Sequence, residues 1–387
     1  MNNKDNYKQC IKCVMDTTTK LIEFDEKGIC NFCKKHESTL ALVKNKSEEE
    51  KKILFENLIN EIKKIGEGKK YDCLIGISGG FDSTFITYLA KKNNLKPLLV
   101  HFDNGWNTNQ ATENINNIVK NTEFDLYTYV INWEQFKDLQ IAYFKASVID
   151  IEVPTDQLIF AALYTIAEKF NIKSILSGEN IYTETVMPSD WAFSEKLDYT
   201  NLSNIHRKFG KQKLVNFPKL GISEQEKFNR KGFKKYKLIT YSVFDYHQII
   251  EAMQKELGWK NFEDKHFESI FTRFYQGYIL PKKFNVDKRK VHYSNLINSG
   301  FIPREKALQA LKNPPYNLEM QNEDLNYILK KWDMTKSDFD HIMSLAPVSH
   351  DTFGYDKLSN TDKFKNWLQL FYKFKIAYPL RIIKRPL

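Results

Sequence analysis

No apolar stretch in this 387-residue chain approaches the length that crosses a bilayer. The opening Met-Asn-Asn-Lys-Asp-Asn also lacks the apolar core of a signal peptide. Together these absences argue against a spanning or exported protein and point to the cytoplasm. There is no internal repeat and no low-complexity segment. An apolar fraction of 42% and a charged fraction of 27% are those of an ordinary globular protein, long enough for two or three units. The net charge of +10 and a pI near 9.0 suit a polyanionic partner such as a nucleotide, a nucleotide sugar, RNA or an anionic lipid surface. Dispersed surface lysine would give the same total.

Cysteine is scarce, yet four of the five cysteines fall into two pairs, Cys10-Ile-Lys-Cys13 and Cys30-Asn-Phe-Cys33. Sixteen residues separate the pairs, within the spacing of four-cysteine zinc sites. Four thiolates on one ion leave no open position for water, so such a zinc is structural. Redox cysteines are the alternative, and a disulfide pair is disfavoured in a cytosolic chain. Cys73 lies in an apolar run and reads as a core residue.

The chain also lacks a Walker A ending and a dinucleotide G-x-G-x-x-G. In their place stands Asp-Cys-Leu-Ile-Gly-Ile-Ser-Gly-Gly-Phe-Asp-Ser-Thr at 72–84. It is a buried strand feeding a helix through glycines, the junction at which anions bind. Gly79 and Gly80 admit a phosphate to the backbone, and Asp82, Ser83 and Thr84 stand at the helix entrance. An ordinary glycine-rich turn is the bland alternative.

Strands are expected at 72–77, 97–102, 126–131 and 173–177, with helices near 83–93, 108–120, 133–145 and 155–170. These βα units imply a parallel sheet with ligands at the strand carboxyl ends. Three loops would converge there: 78–84, His101-Phe102-Asp103-Asn104-Gly105-Trp106, and Ser177-Gly178-Glu179-Asn180. Asp156 opens a helix and is either a first-turn acid or a partner of Asp82 in holding magnesium. The expected division is a cysteine module at 1–45, a linker helix at 46–70, a nucleotide domain at 71–235 and a mainly helical region at 236–387. Within the nucleotide domain, 181–235 reads as an irregular substrate-binding insertion. The C-terminal region opens with a short strand at 237–241 and a helix at 246–257. The basic run Asp287-Lys288-Arg289-Lys290 opens a later helix, where it opposes the dipole unless an anion is near. A basic, aromatic tail from Phe364 to Leu387 carries a docking stripe that includes Trp367, Phe371 and Phe374.

The Ser-Gly-Gly-Phe-Asp-Ser loop resembles the pyrophosphate-binding loop of the ATP pyrophosphatases. The wider order adds the cysteine pairs, Val14-Met15-Asp16-Thr17-Thr18, Ser177-Gly178-Glu179-Asn180, Asp287-Lys288-Arg289, Gly300 and Arg304-Glu305-Lys306-Ala307. That order resembles the N-acetyl-sugar amidotransferases of lipopolysaccharide and flagellin-glycan (pseudaminic acid) biosynthesis. The resemblance runs from about residue 8 to at least residue 345.

It implies an α/β fold, a parallel-sheet HUP-like (adenine nucleotide alpha hydrolase) ATP pyrophosphatase domain between a zinc-ribbon-like module and a helical C-terminal region. The implied cofactors are ATP, Mg²⁺ and structural Zn²⁺. ATP would be bound by Ile77, Ser78, Gly79, Gly80, Asp82, Ser83 and Thr84, by His101, Phe102 and Asp103, and by Gly178 and Glu179. Lys288 and Arg289 would act on the leaving pyrophosphate. The implied reaction converts the acetamido group of a sugar or nucleotide sugar to acetamidino through an O-adenylyl intermediate. With Cys10 in the metal set and no glutaminase region, ammonia would come from a partner glutaminase with a cyclase-like channel subunit, as in histidine biosynthesis. A transfer-RNA thiolase or lysidine synthetase, and an ATP-binding regulator without catalysis, are the alternatives.

Overall fold

The computed structural model describes residues 7–356, and the C-terminal stripe around Trp367 lies outside them. Five short strands, β1 (Cys73–Gly76), β2 (Pro97–Asp103), β3 (Leu126–Val130), β4 (Ser174–Leu176) and β5 (Lys234–Tyr236), form one parallel sheet in the order β3-β2-β1-β4-β5. The chain runs outward from β1 to β3, then crosses to the other side of β1 for β4 and β5. A crevice opens above the strand carboxyl ends at such a reversal, and the turns 77–80 and 177–180 leave β1 and β4 there.

Helix α1 (Asn31–Lys44) begins inside the second cysteine pair, with Cys30 at its N-cap and Cys33 in its first turn. α2 (Glu48–Gly66) starts at a capping box in which Ser47 Oγ accepts from Glu50 N and the Glu50 carboxylate accepts from Ser47 N. α3 (Phe81–Lys92) and α4 (Asn109–Thr122) follow β1 and β2, and α5 (Trp133–Lys145) and α6 (Val153–Lys169) both precede β4. Between β4 and β5 come α7 (Ile181–Glu184), α8 (Tyr199–Phe209) and α9 (Ile222–Arg230). The remainder is helical: α10 (Tyr246–Leu257), α11 (Ile270–Phe274) running into a π-helical stretch Tyr275–Phe284, α12 (Arg289–Ser299), α13 (Arg304–Leu311), α14 (Leu318–Trp332) and α15 (Lys336–Ser344).

The apolar run of β1 is fully buried because helices cover both faces of the sheet. On one face Cys73 and Ile75 pack with Ile62 of α2, Phe85 and Ile86 of α3, Ile115 of α4 and Leu257 of α10. On the other, Leu74, Leu98 and Val100 meet Ala161 and Ile166 of α6. The largest core contains no strand. It joins the cysteine module to α5, α12, α14 and α15.

Two expectations are corrected. The fifth strand lies just before 237–241, at Lys234–Tyr236, because Lys234 N donates to Lys173 O at 2.8 Å and Ser177 N to Tyr236 O at 2.9 Å, which sets the register on β4. Leu238 and Ile239 instead turn in a 3-10 helix and bury against the α2–α3 face. The segment 181–235, read as irregular, contains α8 and α9. α8 buries few apolar side chains, and long-range polar bonds hold it. Asn201 donates its side-chain amide to His350 O at 2.9 Å and Gly354 O at 2.7 Å.

Candidate functional site

At the end of β1, Ile77 N donates to Val100 O at 2.8 Å, and the chain then turns through Ser78, Gly79 and Gly80 into α3. Gly79 has φ +79°, and a Cβ there would lie 2.7 Å from Ala111 O, so glycine is required. Ser83 Oγ accepts from Ser78 N at 3.3 Å and meets Ser78 Oγ at 3.2 Å. Gly80, the N-cap residue, offers no side-chain cap. The amides of the first turn of α3 therefore face the crevice with the positive end of the helix dipole. Thr84 is buried and its hydroxyl donates back to Gly80 O at 2.7 Å.

A second segment crosses over this loop. Trp259 Nε1 donates to Gly79 O at 2.8 Å, Lys260 N to Asn114 Oδ1 at 2.8 Å, and Thr108 N to Glu268 O at 3.0 Å. This strap, residues 259–268, and the loop both line a cavity of about 650 Å³. Its polar lining includes Ser78, Gly80, Asp82, Ser83, Lys265, His266, Glu268 and His292, and its apolar and aromatic lining Phe81, Tyr246, Ile250, Phe262, Leu296, Ile302, Ala307 and Ala310. The volume is that of a small-molecule site.

Asp82 Oδ1 accepts from Asn180 Nδ2 at 3.0 Å, and its Oδ2 lies 3.5 Å from Lys265 Nζ, which also pairs with Glu184 at 2.9 Å. Burial raises the Asp82 pKa and Lys265 opposes the shift. Burial acts to lower the Lys265 pKa, but Asp82 and Glu184 outweigh it and hold the amine above its ordinary value. Burial pushes the Glu268 carboxyl up as well. His266, whose backbone is left-handed at φ +68°, faces His292 with ring centroids 5.3 Å apart. Both imidazoles are pushed well below the usual value by burial, with Lys265 adding to the shift. Burial thus favours the neutral form of both rings.

The other expected residues lie as follows. Gly178 packs against the first turn of α3, where a Cβ would meet the Asp82 backbone at 3.4 Å. Glu179 points away from the cavity toward β5, pairing with Lys235 and, at 2.5 Å, with Lys237. His101 sits beneath the loop, with Nδ1 3.1 Å from Ile77 O and Nε2 2.8 Å from Asn107 Nδ2. Phe102 stacks on Tyr129, and Asp103 accepts from Gly105 N at 2.9 Å. None of these last three lines the cavity.

Asp156 is in the first turn of α6, held by Lys196 at 2.5 Å, and shares no partner with Asp82. Lys288 and Arg289 stand at the start of α12. Buried Lys288 has its Nζ 5.5 Å from the Tyr275 ring centroid and feels the charge of Asp150 and Glu152. Arg289 is bound to Asp287 at 2.7 Å and to the carbonyls of Asn313 and Pro314. Of residues 181–235, Thr183 is the one that lines the cavity among the described residues.

Sequence reasoning passed over Lys265, His266, Glu268 and Glu184. The run Glu263-Asp264-Lys265-His266-Phe267-Glu268, dense in ionisable groups, was the available signal.

The four paired cysteines are fully buried, with neighbouring Sγ atoms 3.7 to 3.8 Å apart. A disulfide needs about 2.05 Å. A tetrahedron with metal–sulfur bonds of about 2.3 Å has edges of about 3.8 Å, so the donor set fits zinc. Cys13 N and Cys30 N both point at Cys10 Sγ, at 3.5 and 3.3 Å, and Cys30 caps α1, whose dipole favours thiolate. Arg304 donates to Cys13 O at 2.9 Å and Cys10 O at 2.8 Å, and Ser294 of α12 accepts from Val14 N at 3.3 Å. The module is thus clamped to the helices that wall the cavity.

A parallel sheet with a glycine-bearing loop at its reversal point, a sulfur cluster at one end and a helical region closing the crevice defines an α/β protein of the PP-loop kind. Residues 268–375 match the family model described as "LPS biosynthesis protein WbpG-like, C-terminal domain". The chain is 31% identical over 328 residues to the uncharacterized protein MJ1599 of Methanocaldococcus jannaschii, covering 81% of this chain and 97% of that protein. Among solved structures it is similar to NMN synthetase from Francisella tularensis, with TM-score 0.31 and 15% identity, covering 75% of this chain and 98% of that one. A likeness that slight has no bearing on function. The chain belongs to one family with the M. jannaschii protein, and its C-terminal part is similar to the WbpG-like domain of LPS biosynthesis.

Proposed function

We propose that this protein is an ATP-dependent amidotransferase of surface-glycan biosynthesis, converting the acetamido group of a sugar or nucleotide sugar to acetamidino with release of AMP and pyrophosphate. The observation that carries the reading is the uncapped start of α3, with Gly79, Gly80, Ser78 and Ser83, opening into a cavity that is also lined by apolar and aromatic side chains. The first is a phosphate site and the second suits an acylated sugar. Part of that apolar lining, Leu296, Ile302, Ala307 and Ala310, falls within the WbpG-like region.

An amide carbon resists ammonia because nitrogen donates into it and oxide is a poor leaving group. Activating the amide oxygen with the α-phosphorus of ATP supplies a leaving group, AMP, and ammonia then replaces it. The chain need provide no nucleophile. It orients the two substrates and offers donors where charge develops on phosphate oxygens. Magnesium accompanying ATP would find the carboxylates of Asp82 and Glu268 beside the loop, and would neutralise phosphate charge. Ammonia is supplied by a partner glutaminase through a channel subunit. Cys73, buried in β1, does not border the cavity, which disfavours sulfur transfer to RNA. No helix among the described residues is long and apolar enough to cross a membrane.

The test is to incubate the protein with ATP, Mg²⁺, ammonium and N-acetylated nucleotide sugars. AMP and pyrophosphate should appear in equal amounts and require the sugar. Release of ADP and phosphate, or AMP formation indifferent to sugar, would overturn the reading.

A further inference from the structure

We infer that Lys265, carried on the strap over the phosphate loop, is the side chain that neutralises the departing pyrophosphate. The inference rests on the ATP-cleaving reading above and assigns a residue to its first step. In that step a lone pair on the amide oxygen forms the bond to the α-phosphorus. The bond from that phosphorus to the bridging oxygen of the β-phosphate breaks, and its electron pair leaves with the pyrophosphate. The amide nitrogen keeps its proton. Negative charge therefore gathers on the pyrophosphate, and a fixed cation beside it favours the transition state over the ground state.

Four observations converge on Lys265. Its amine borders the cavity with Ser78, Gly80 and Ser83, 3.5 Å from Asp82 in the first turn of α3. The strap is pinned at both ends, to the loop by Trp259 on Gly79 O and to the start of α4 by Thr108 N on Glu268 O, so the lysine is held over the start of α3. Its partners are carboxylates, Asp82 at 3.5 Å and Glu184 at 2.9 Å, which hold its amine charged beside the helix start. The neighbouring cations are placed differently. Arg289 spends its guanidinium on Asp287 and main-chain carbonyls, and Lys288 lies outside this cavity, in a small adjoining pocket that Lys265 and His292 also line. Lys306 lines the cavity from α13, not from the strap bonded to the phosphate loop.

The experiment is calorimetric titration of the full-length protein with magnesium pyrophosphate and, separately, with AMP. Lys265→Gln should weaken pyrophosphate about 10-fold or more while changing AMP by less than about 2-fold, the loss of one charge-assisted contact. Lys265→Arg should recover most of the loss, and Lys260→Gln, at an exposed strap lysine paired with Glu113, should resemble the parent. If Lys265→Gln fails to fold, Glu184→Gln decides. Freeing Lys265 from that carboxylate should tighten pyrophosphate by about 2-fold or more. Parent-like pyrophosphate binding in Lys265→Gln, equal loss of AMP and pyrophosphate, or no tightening in Glu184→Gln would overturn the inference. A parent protein that binds neither ATP nor pyrophosphate would instead overturn the functional reading itself.

Discussion

The two walls of the cavity are built on opposite principles. The phosphate loop is largely self-contained. Ser78 meets Ser83, and Thr84 turns back on Gly80, all within seven residues of one another. The strap has little internal frame beyond Lys265 N on Asp264 Oδ1 at 2.8 Å. Trp259 leans on Gly79, Lys260 on Asn114, Lys265 on Asp82 and Glu184, and Glu268 on Thr108, every one a long-range partner. Damage to the loop should therefore reach the strap, whereas damage to the strap should leave the loop's own bonds in place. The cysteine module stands with the strap in this respect, since Arg304 and Ser294 tie it to helices far along the chain.

The largest effect should come from the metal module, because a structural zinc site contributes on the order of 10 kcal/mol of binding free energy that is also folding free energy. Cys30→Ser, or strong chelation, should release zinc and lower the melting temperature of the whole protein by calorimetry. A melt unmoved by metal loss would show that the clamp on α12 and α13 is idle.

Next is Asp82→Ala, which should cut pyrophosphate release about 1,000-fold while circular dichroism stays parent-like. Undiminished turnover would remove the loop from the chemistry.

Gly79→Ala should break the asymmetry between the walls. A left-handed backbone and a Cβ 2.7 Å from Ala111 O should together cost about 3 kcal/mol by denaturant titration. Because Trp259 and Asn114 both donate to Gly79 O, the strap amides should also lose protection in hydrogen exchange. A loss confined to residues 77–84 would contradict the proposed dependence.

The smallest expected effect concerns Glu152, whose carboxyl burial and the nearby Asp156 push up to about 7 from 4.5. Folding favours its protonated form, so its contribution is complete below the unfolded value and is lost as pH rises through about 7. Glu152→Gln should therefore stabilise the protein at pH 8 by up to about 3 kcal/mol in denaturant titration, and change little at pH 4. An equal difference at both pH values would rule out this titration.

The same contrast explains what could be read from the residues in order. The loop announces itself because strand, glycines, acid and hydroxyls are contiguous, and the four cysteines because their spacing mirrors a tetrahedron. Helices such as 133–145 and 246–257 follow from periodicity and caps, and they stand as Trp133–Lys145 and Tyr246–Leu257. The strap could not be seen this way. Lys265 and Glu268 matter only because folding lays them over residues some 180 positions earlier, as with Trp259 and Gly79. Lys288 and Arg289 drew attention as a basic run at a helix start, yet Arg289 is spent on Asp287 close by. In α8 Asn201 shares the buried face with Leu202 and Ile205, and its side-chain amide ties the helix to His350 and Gly354, partners some 150 positions away.

The most direct test of the central claim is mass spectrometry of candidate N-acetylated nucleotide sugars after incubation with the protein, ATP, Mg²⁺ and ammonium. The account predicts a product in which one oxygen of the sugar is replaced by NH, formed in step with AMP and pyrophosphate. Sugars recovered unchanged while AMP and pyrophosphate accumulate would contradict it.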